Sequence, residues 1–167
     1  MCRAFSQRLV LSTAVELEAM DTAVKPRITV KRISSEKELE QAFRIRIRVF
    51  VREQRVPADI ELDEDDKRAL HLLASLAGRV VGTARIVVHG RQAKIGRMAV
   101  LKSHRRKKVG KELLTRAITT AKKQGARKIY LHAQVAVIGF YESAGFRCAG
   151  PVFDEAGIAH RKMILKE

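Results

Sequence analysis

Residues Met98 to Ile118 read "MAVLKSHRRKKVGKELLTRAI". Their start closes a β-rich run, "AKIGRMAV", and their second half carries small or apolar residues at Gly110, Leu113, Leu114, Ala117, Ile118 and, just beyond, Ala121. That spacing is the stripe of an amphipathic helix from about Val109 to Gln124, ended by Gly125. Between strand and helix stand four consecutive cations, Arg105, Arg106, Lys107 and Lys108. A helix N-terminus already carries partial positive charge and favours anions, so cations there destabilise the empty helix. A strand turning directly into a helix also leaves several backbone N–H groups pointing outward. Donors, dipole and cations together make a site for an anion, and a diphosphate filling the turn compensates the charge. Gly110 suits such a turn because a backbone without a side chain can approach a phosphate closely.

Working outward, "RITVKRI" alternates like a strand, and "SSEKELEQAFRIRIRVF" follows with a capping box from Ser35 to Glu38. Leu39, Ala42, Phe43, Ile47 and Phe50 then recur at helical spacing. An irregular acidic stretch, "EQRVPADIELDEDD", precedes "HLLASLA" and "RVVGTARIVV", two β-rich runs that read as a hairpin around Gly78 and Arg79. After the central helix come a strand, "KIYLHAQ", a short helix, "VAVIGFYESA", and two closing strands, "GFRCAGPVF" and "AHRKMILKE". The sum is an α+β domain with a mixed, mostly antiparallel sheet flanked by helices.

The chain has 167 residues, 46% of them hydrophobic, enough for one domain with a real core. A net charge of +16 implies an anionic ligand or surface but does not choose among nucleic acid, an acidic membrane surface and a phosphorylated small molecule. Cys2 and Cys148 are too few and too far apart for a disulfide framework or a zinc knuckle, which suggests a reducing, cytoplasmic setting and no metal. No run of about 18 apolar residues exists to span a membrane. Residues 1–27 look unlike the rest and read as a loosely ordered extension, leaving 28–167 as the domain.

The segment "RRKKVGKELL" resembles the acetyl-CoA pyrophosphate loop of the GNAT superfamily of N-acetyltransferases. The superfamily motif is Arg or Gln, two residues, Gly, one residue, then Gly or Ala. Arg105 and Gly110 match it, and Lys108 stands where the first glycine usually is. The segments "VFVREQRVP", "ELDEDD", "HLLA", "GTARI", "IGRMAV", "FYESAGF" and "GIAHRKM" come in the order seen in a bacterial GNAT subfamily of small predicted acetyltransferases. "RVFVREQ" is also similar to a segment of acyl-homoserine lactone synthases, and the C-terminal half to glyphosate N-acetyltransferase.

The resemblance implies transfer of an acetyl group from acetyl-CoA to an amine by direct attack in a ternary complex, largely by positioning. It assigns the diphosphate to the turn of Arg105, Arg106, Lys107, Lys108, Val109, Gly110 and Lys111. Backbone groups of Met98, Ala99 and Val100 are then expected to hold the pantetheine arm and thioester oxygen, with Gln134 hydrogen bonding in the same cleft. Tyr141 takes the superfamily's place beside the CoA sulfur, where a protonated phenol can serve the departing thiolate. His160 matches the histidine that acts as base in glyphosate N-acetyltransferase, and a neutral imidazole can take an amine's proton.

On the acceptor side, an acidic segment within a basic chain could collect a cationic amine, with Glu53, Glu61 and Glu64 as candidates to hold or deprotonate it. The resemblance favours Arg48 as a further site residue, and Arg97 is expected beside the acceptor as well. The acceptor is a small molecule or a protein amine, and a homodimer is compatible with the sequence. A rival reading is a basic module binding RNA, DNA or the ribosome, since Lys102 to Lys128 holds many cations against one acid, Glu112. The absence of Trp and the presence of only two Tyr argue against single-strand stacking platforms. A third reading is transfer of a larger acyl group from another acyl donor. His71 reads as structural and Cys148 as core, with a cysteine nucleophile paired to His160 left open.

Overall fold

The computed structural model describes residues 26–166. The expected N-terminal extension therefore falls, up to residue 25, outside the described residues. The strands are β1 (Ile28–Arg32), β2 (Leu70–Leu76), β3 (Arg79–His89), β4 (Gln92–Val100), β5 (Lys128–Gln134), β6 (Phe146–Glu155) and β7 (Ile158–Leu165). They form one sheet in the order β1-β2-β3-β4-β5-β7-β6. Neighbours are antiparallel except β4 and β5, which run parallel because helix α3 (Val109–Lys123) carries the chain back between them. The mixed, mostly antiparallel sheet expected from the sequence is the sheet observed.

The α3 stripe is the core of one face: Leu113, Leu114, Ala117 and Ala121 are buried with Leu72, Ile86, Ile95 and Leu131 of the sheet. Helix α1 (Glu36–Arg46) packs elsewhere, and Ile45 and Val49 bury against Ala99. Ser35 caps α1 by accepting the Glu38 N–H at 3.3 Å, while the Glu38 carboxylate reaches back to the Ser34 N–H at 2.9 Å rather than to Ser35. The β2–β3 turn is Ala77 and Gly78, both at positive φ, one residue earlier than the sequence suggested.

Two stretches differ from expectation. The first helix does not run on as α-helix through Phe50 but widens from Ile47 to Glu53 into a π-helical turn, closed by Gln54 N–H bonding Val49 O. The acidic segment is not an open loop. It folds into α2 (Ala58–Glu61) and a 3₁₀ turn (Glu64–Lys67) started by a capping box from Asp63 to Asp66. Beyond β5, a 3₁₀ turn (Val135–Val137) leads into α4 (Ile138–Glu142), the short helix read from the sequence.

Candidate active site

The β4/β5 pairing ends at Ile95 and Leu131, although β4 continues to Val100 and β5 to Gln134. From Gly96 onward β4 keeps only its β3 neighbour. Its free edge lines a cleft of about 610 Å³ that reaches from the basic turn to the C-terminal strands. An extra residue on β4 between the Arg85–Gly96 and Thr83–Ala99 pairs makes a bulge, and Arg97 sits in it at φ 49°. Met98, Ala99 and Val100 line the cleft just beyond the bulge.

At one end of the cleft, the first bond of α3 runs from the Glu112 N–H to Lys108 O. The amides of Val109, Gly110 and Lys111 thus precede any intrahelical bond, and no side chain caps the helix. Lys108 takes up φ 65° and ψ 0°, the left-handed conformation that a glycine at this point of the motif adopts freely. Arg106, Lys108, Gly110 and Lys111 line the cleft, whereas the Val109 side chain is core and Lys107 lies outside it. A Cβ on Gly110 would make an ordinary van der Waals contact with the Phe140 ring at 3.5 Å, so the glycine lies beside an aromatic wall. Arg105 is braced: its guanidinium takes Glu53 in a two-point pair at 2.6 and 2.8 Å and the Val100 carbonyl at 3.0 Å.

Next to Phe140 on α4, Tyr141 brings its hydroxyl to 3.9 Å from the Met98 sulfur. Burial pushes the Tyr141 hydroxyl up to about 12, so it stays a proton donor. His160 on β7 is 9% exposed, and its Nδ1 lies 2.7 Å from the Ile158 carbonyl. That contact makes Nδ1 the N–H and leaves Nε2 as the basic nitrogen. Gln134 and Gln54 exchange amide hydrogen bonds at 2.9 and 3.4 Å across the cleft. A smaller chamber of about 80 Å³ opens beyond, sharing Gly96, Arg97, His132 and His160 with the main cleft.

The residues expected to meet an acceptor divide. Arg97 lines both cavities, with its guanidinium on Asp63 at 3.0 Å and on the Glu61 carbonyl at 3.1 Å. Arg48 and Glu53 line a separate groove on the outer side of the π-helical turn. Glu64 is solvent-exposed and paired with Lys67. Glu53 is occupied by Arg105, and Glu61 is buried on Arg46 at 2.6 Å. The acidic segment therefore binds the protein's own arginines rather than gathering at the cleft. Cys148 sits opposite Met163, away from His160, and His71 bonds the Asp66 carbonyl through Nε2, a structural role.

The family model described as "Acetyltransferase (GNAT) domain" matches residues 29–167. The chain belongs to the GNAT acetyltransferases. A Bacillus subtilis protein named as a candidate acetyltransferase is 40% identical over 143 residues, covering 84% of this chain and 97% of the relative. The B. subtilis uncharacterized N-acetyltransferase YjcF is 35% identical over 131 residues, covering 78% and 94%. The crystal structure of Escherichia coli ElaA superposes with a TM-score of 0.75 at 29% identity, covering 84% of this chain and all of that one. As a GNAT enzyme, the protein is an acyltransferase that takes its acyl group from acyl-CoA.

Five residues in or behind the cavities escaped the sequence reading: Arg46, Asp66, Arg85, His132 and Glu155. Glu61, read from the sequence as a candidate to meet an amine, is instead buried among the protein's own arginines. Arg46 is wholly buried and bonds Glu61 and Asp66. Arg85 bonds Asp63 and Asp66 from β3. Burial would raise Asp66, yet the Arg46 and Arg85 hydrogen bonds outweigh it and hold the carboxyl at about 2. For Glu61 burial wins and raises it despite Arg46. A signal for Arg46 was present, because it lies four residues after Ala42 on the inner stripe of α1, whereas Arg48 is off that stripe.

Proposed function

We propose that the protein transfers an acetyl group from acetyl-CoA to a small amine acceptor bound at the same time. The observation that carries this reading is the single cleft that joins an uncapped, cationic helix start to Tyr141 and His160. The free amides of Val109, Gly110 and Lys111, with Arg106, Lys108 and Lys111 beside them, suit a diphosphate. The unpaired edge of β4 offers backbone groups to an extended amide-bearing arm such as pantetheine. Acetyl-CoA supplies the activated thioester; the protein's residues position it and manage protons. His160 takes a proton from the amine through Nε2, and Tyr141 donates a hydrogen bond to the departing sulfur.

The chamber beyond the cleft, about 80 Å³, favours a short acyl group and a small acceptor head over longer ones. No helix among the described residues is long and apolar enough to cross a membrane, and the cytoplasm, where acetyl-CoA is available, suits the reading. The rival nucleic-acid reading loses ground because Glu53 neutralises Arg105, and Arg106, Lys108 and Lys111 line a cleft rather than an outer face, leaving Lys107 as the turn cation outside it.

Calorimetry with acetyl-CoA tests the assignment through Gly110→Glu. A carboxylate at the first turn of α3 favours the empty helix but repels a diphosphate, so binding is expected to be lost in a protein that remains folded. Unchanged affinity would sink the proposal. A tight complex with RNA that survives added salt would promote the rival, since phosphate contacts by a basic surface weaken steeply with salt.

A further inference from the structure

Two imidazoles stand at the deep end of the cleft. His132 pairs with Lys162 and Gln134 with His160 along β5 and β7, so His132 and His160 share one face of the sheet. The Phe153 ring lies between them, 4.9 Å from His132 and 6.1 Å from His160, and both histidines line the main cleft and the inner chamber.

They are held differently. His160 Nδ1 meets a backbone carbonyl, a neutral partner, in a buried position. His132 Nδ1 meets Glu155 Oε2 at 2.9 Å, and these two side chains are 25% and 37% exposed. Both arrangements leave Nε2 as the basic nitrogen. Only at His132 does a carboxylate stand behind the ring to compensate the charge that protonation brings, with solvent close enough to take the proton onward. The His132 hydrogen bond holds the Glu155 carboxyl at about 2, so the carboxylate is ionised. Other charged or titratable groups around this chamber are Arg85 from β3, Lys94 and Arg97 from β4, Tyr130 from β5 and Lys162 from β7, whose ammonium lies 4.8 Å over the Tyr130 ring.

An amine that arrives as an ammonium must lose two protons to become an amide. One leaves to expose the lone pair before the C–N bond forms; the second leaves the nitrogen after attack, as the C–S bond breaks. The sulfur departs with the bond's electron pair and ends as a thiol with one of these protons. The other proton leaves the enzyme, so ammonium plus acetyl-CoA gives amide, CoA and one free proton.

We propose that His132, oriented by Glu155, is a second base of the site, the one that takes the first proton and exports it, while His160 handles the second. This rests on transfer to an amine as read above. The test compares a strongly basic acceptor, ethylamine, with a weakly basic one, methoxyamine, which enters neutral at pH 7 and has only one proton to lose. In His132→Gln the ratio of kcat/KM for ethylamine over methoxyamine should fall about 10- to 100-fold, and in Glu155→Gln it should fall in the same direction. In His160→Gln the ratio should stay at the parent's value while both rates drop. A His132→Gln variant with the parent's ratio, whether from equal losses or from none, overturns the proposal; a folding defect lowers both values by one factor and so leaves the ratio readable. A parent that acetylates no amine in a panel spanning both classes would instead overturn the amine-transfer reading.

Discussion

At Tyr141 burial does two opposing things. It keeps the phenol protonated by pushing its hydroxyl up to about 12, and it makes that proton hard to surrender to a thiolate, whose own affinity is nearer that of a thiol at about 8.5. In the reaction proposed above, such a hydroxyl would serve by hydrogen bonding to the sulfur as charge develops rather than by giving up its proton early. Tyr141→Phe keeps the ring against Phe140 and Phe146 and removes only that donor. Single-turnover acetylation should slow by about 10- to 100-fold with acetyl-CoA affinity little changed, and parental rates would reduce the residue to packing. Lys108 is a second residue under opposing demands. Its left-handed backbone costs a side-chain-bearing residue roughly 1 kcal/mol, a cost glycine avoids. Lys108→Gly should then leave the protein as stable or slightly more so in thermal melts, while weakening acetyl-CoA binding by removing a charge beside the diphosphate. Tighter binding in that variant would show that loop strain, not charge, governs the turn.

Among the elements, the segment from Ala58 to Lys67 is held to the sheet chiefly by ionic contacts. Arg46 from α1, Arg85 from β3 and Arg97 from the β4 bulge converge on Glu61, Asp63 and Asp66. Removing one partner of a buried pair leaves the others uncompensated. Arg46→Ala should cost about 3–5 kcal/mol in urea unfolding. Arg48→Ala, at an exposed position, should stay within about 0.5 kcal/mol. Equal costs would mean that the burial of Arg46 matters less than its packing suggests. This contrast also marks what could be read from the sequence. The basic turn between β4 and α3 was legible because everything that forms it lies within a few residues: a strand, four cations and a helical stripe. The strap was not, because its partners lie 15 to 36 residues apart and a run of acids looks the same whether it faces water or a set of buried arginines. His132 and Glu155 were missed for a similar reason, since they meet only after β7 has brought β5 and β6 to the same part of the sheet.

For the molecule as a whole, that ionic cluster sets how folding responds to acid. Asp66 is held at about 2 in the folded chain against an ordinary value of 3.8, and its side chain is 9% exposed. A lowered carboxyl stabilises the fold above its unfolded value and loses that contribution as pH falls toward the folded one. The window therefore runs from roughly pH 5 to 2, and the contribution is about 2 kcal/mol. Glu61, raised by burial, works in the opposite sense and softens the fall. Urea midpoints should drop between pH 5 and 3, and Asp66→Asn should flatten that slope; an unchanged slope would place the acid sensitivity elsewhere.

The strand order carries a last consequence. β7 is made after β6 yet lies between β5 and β6, so β6 has nothing to pair with until β7 arrives. During synthesis the basic turn and Tyr141 thus emerge before His160. A chain interrupted ahead of Ile158 lacks His160 and is left with β5 and β6 each unpaired along an edge, a bare strand edge of the kind that pairs with other chains.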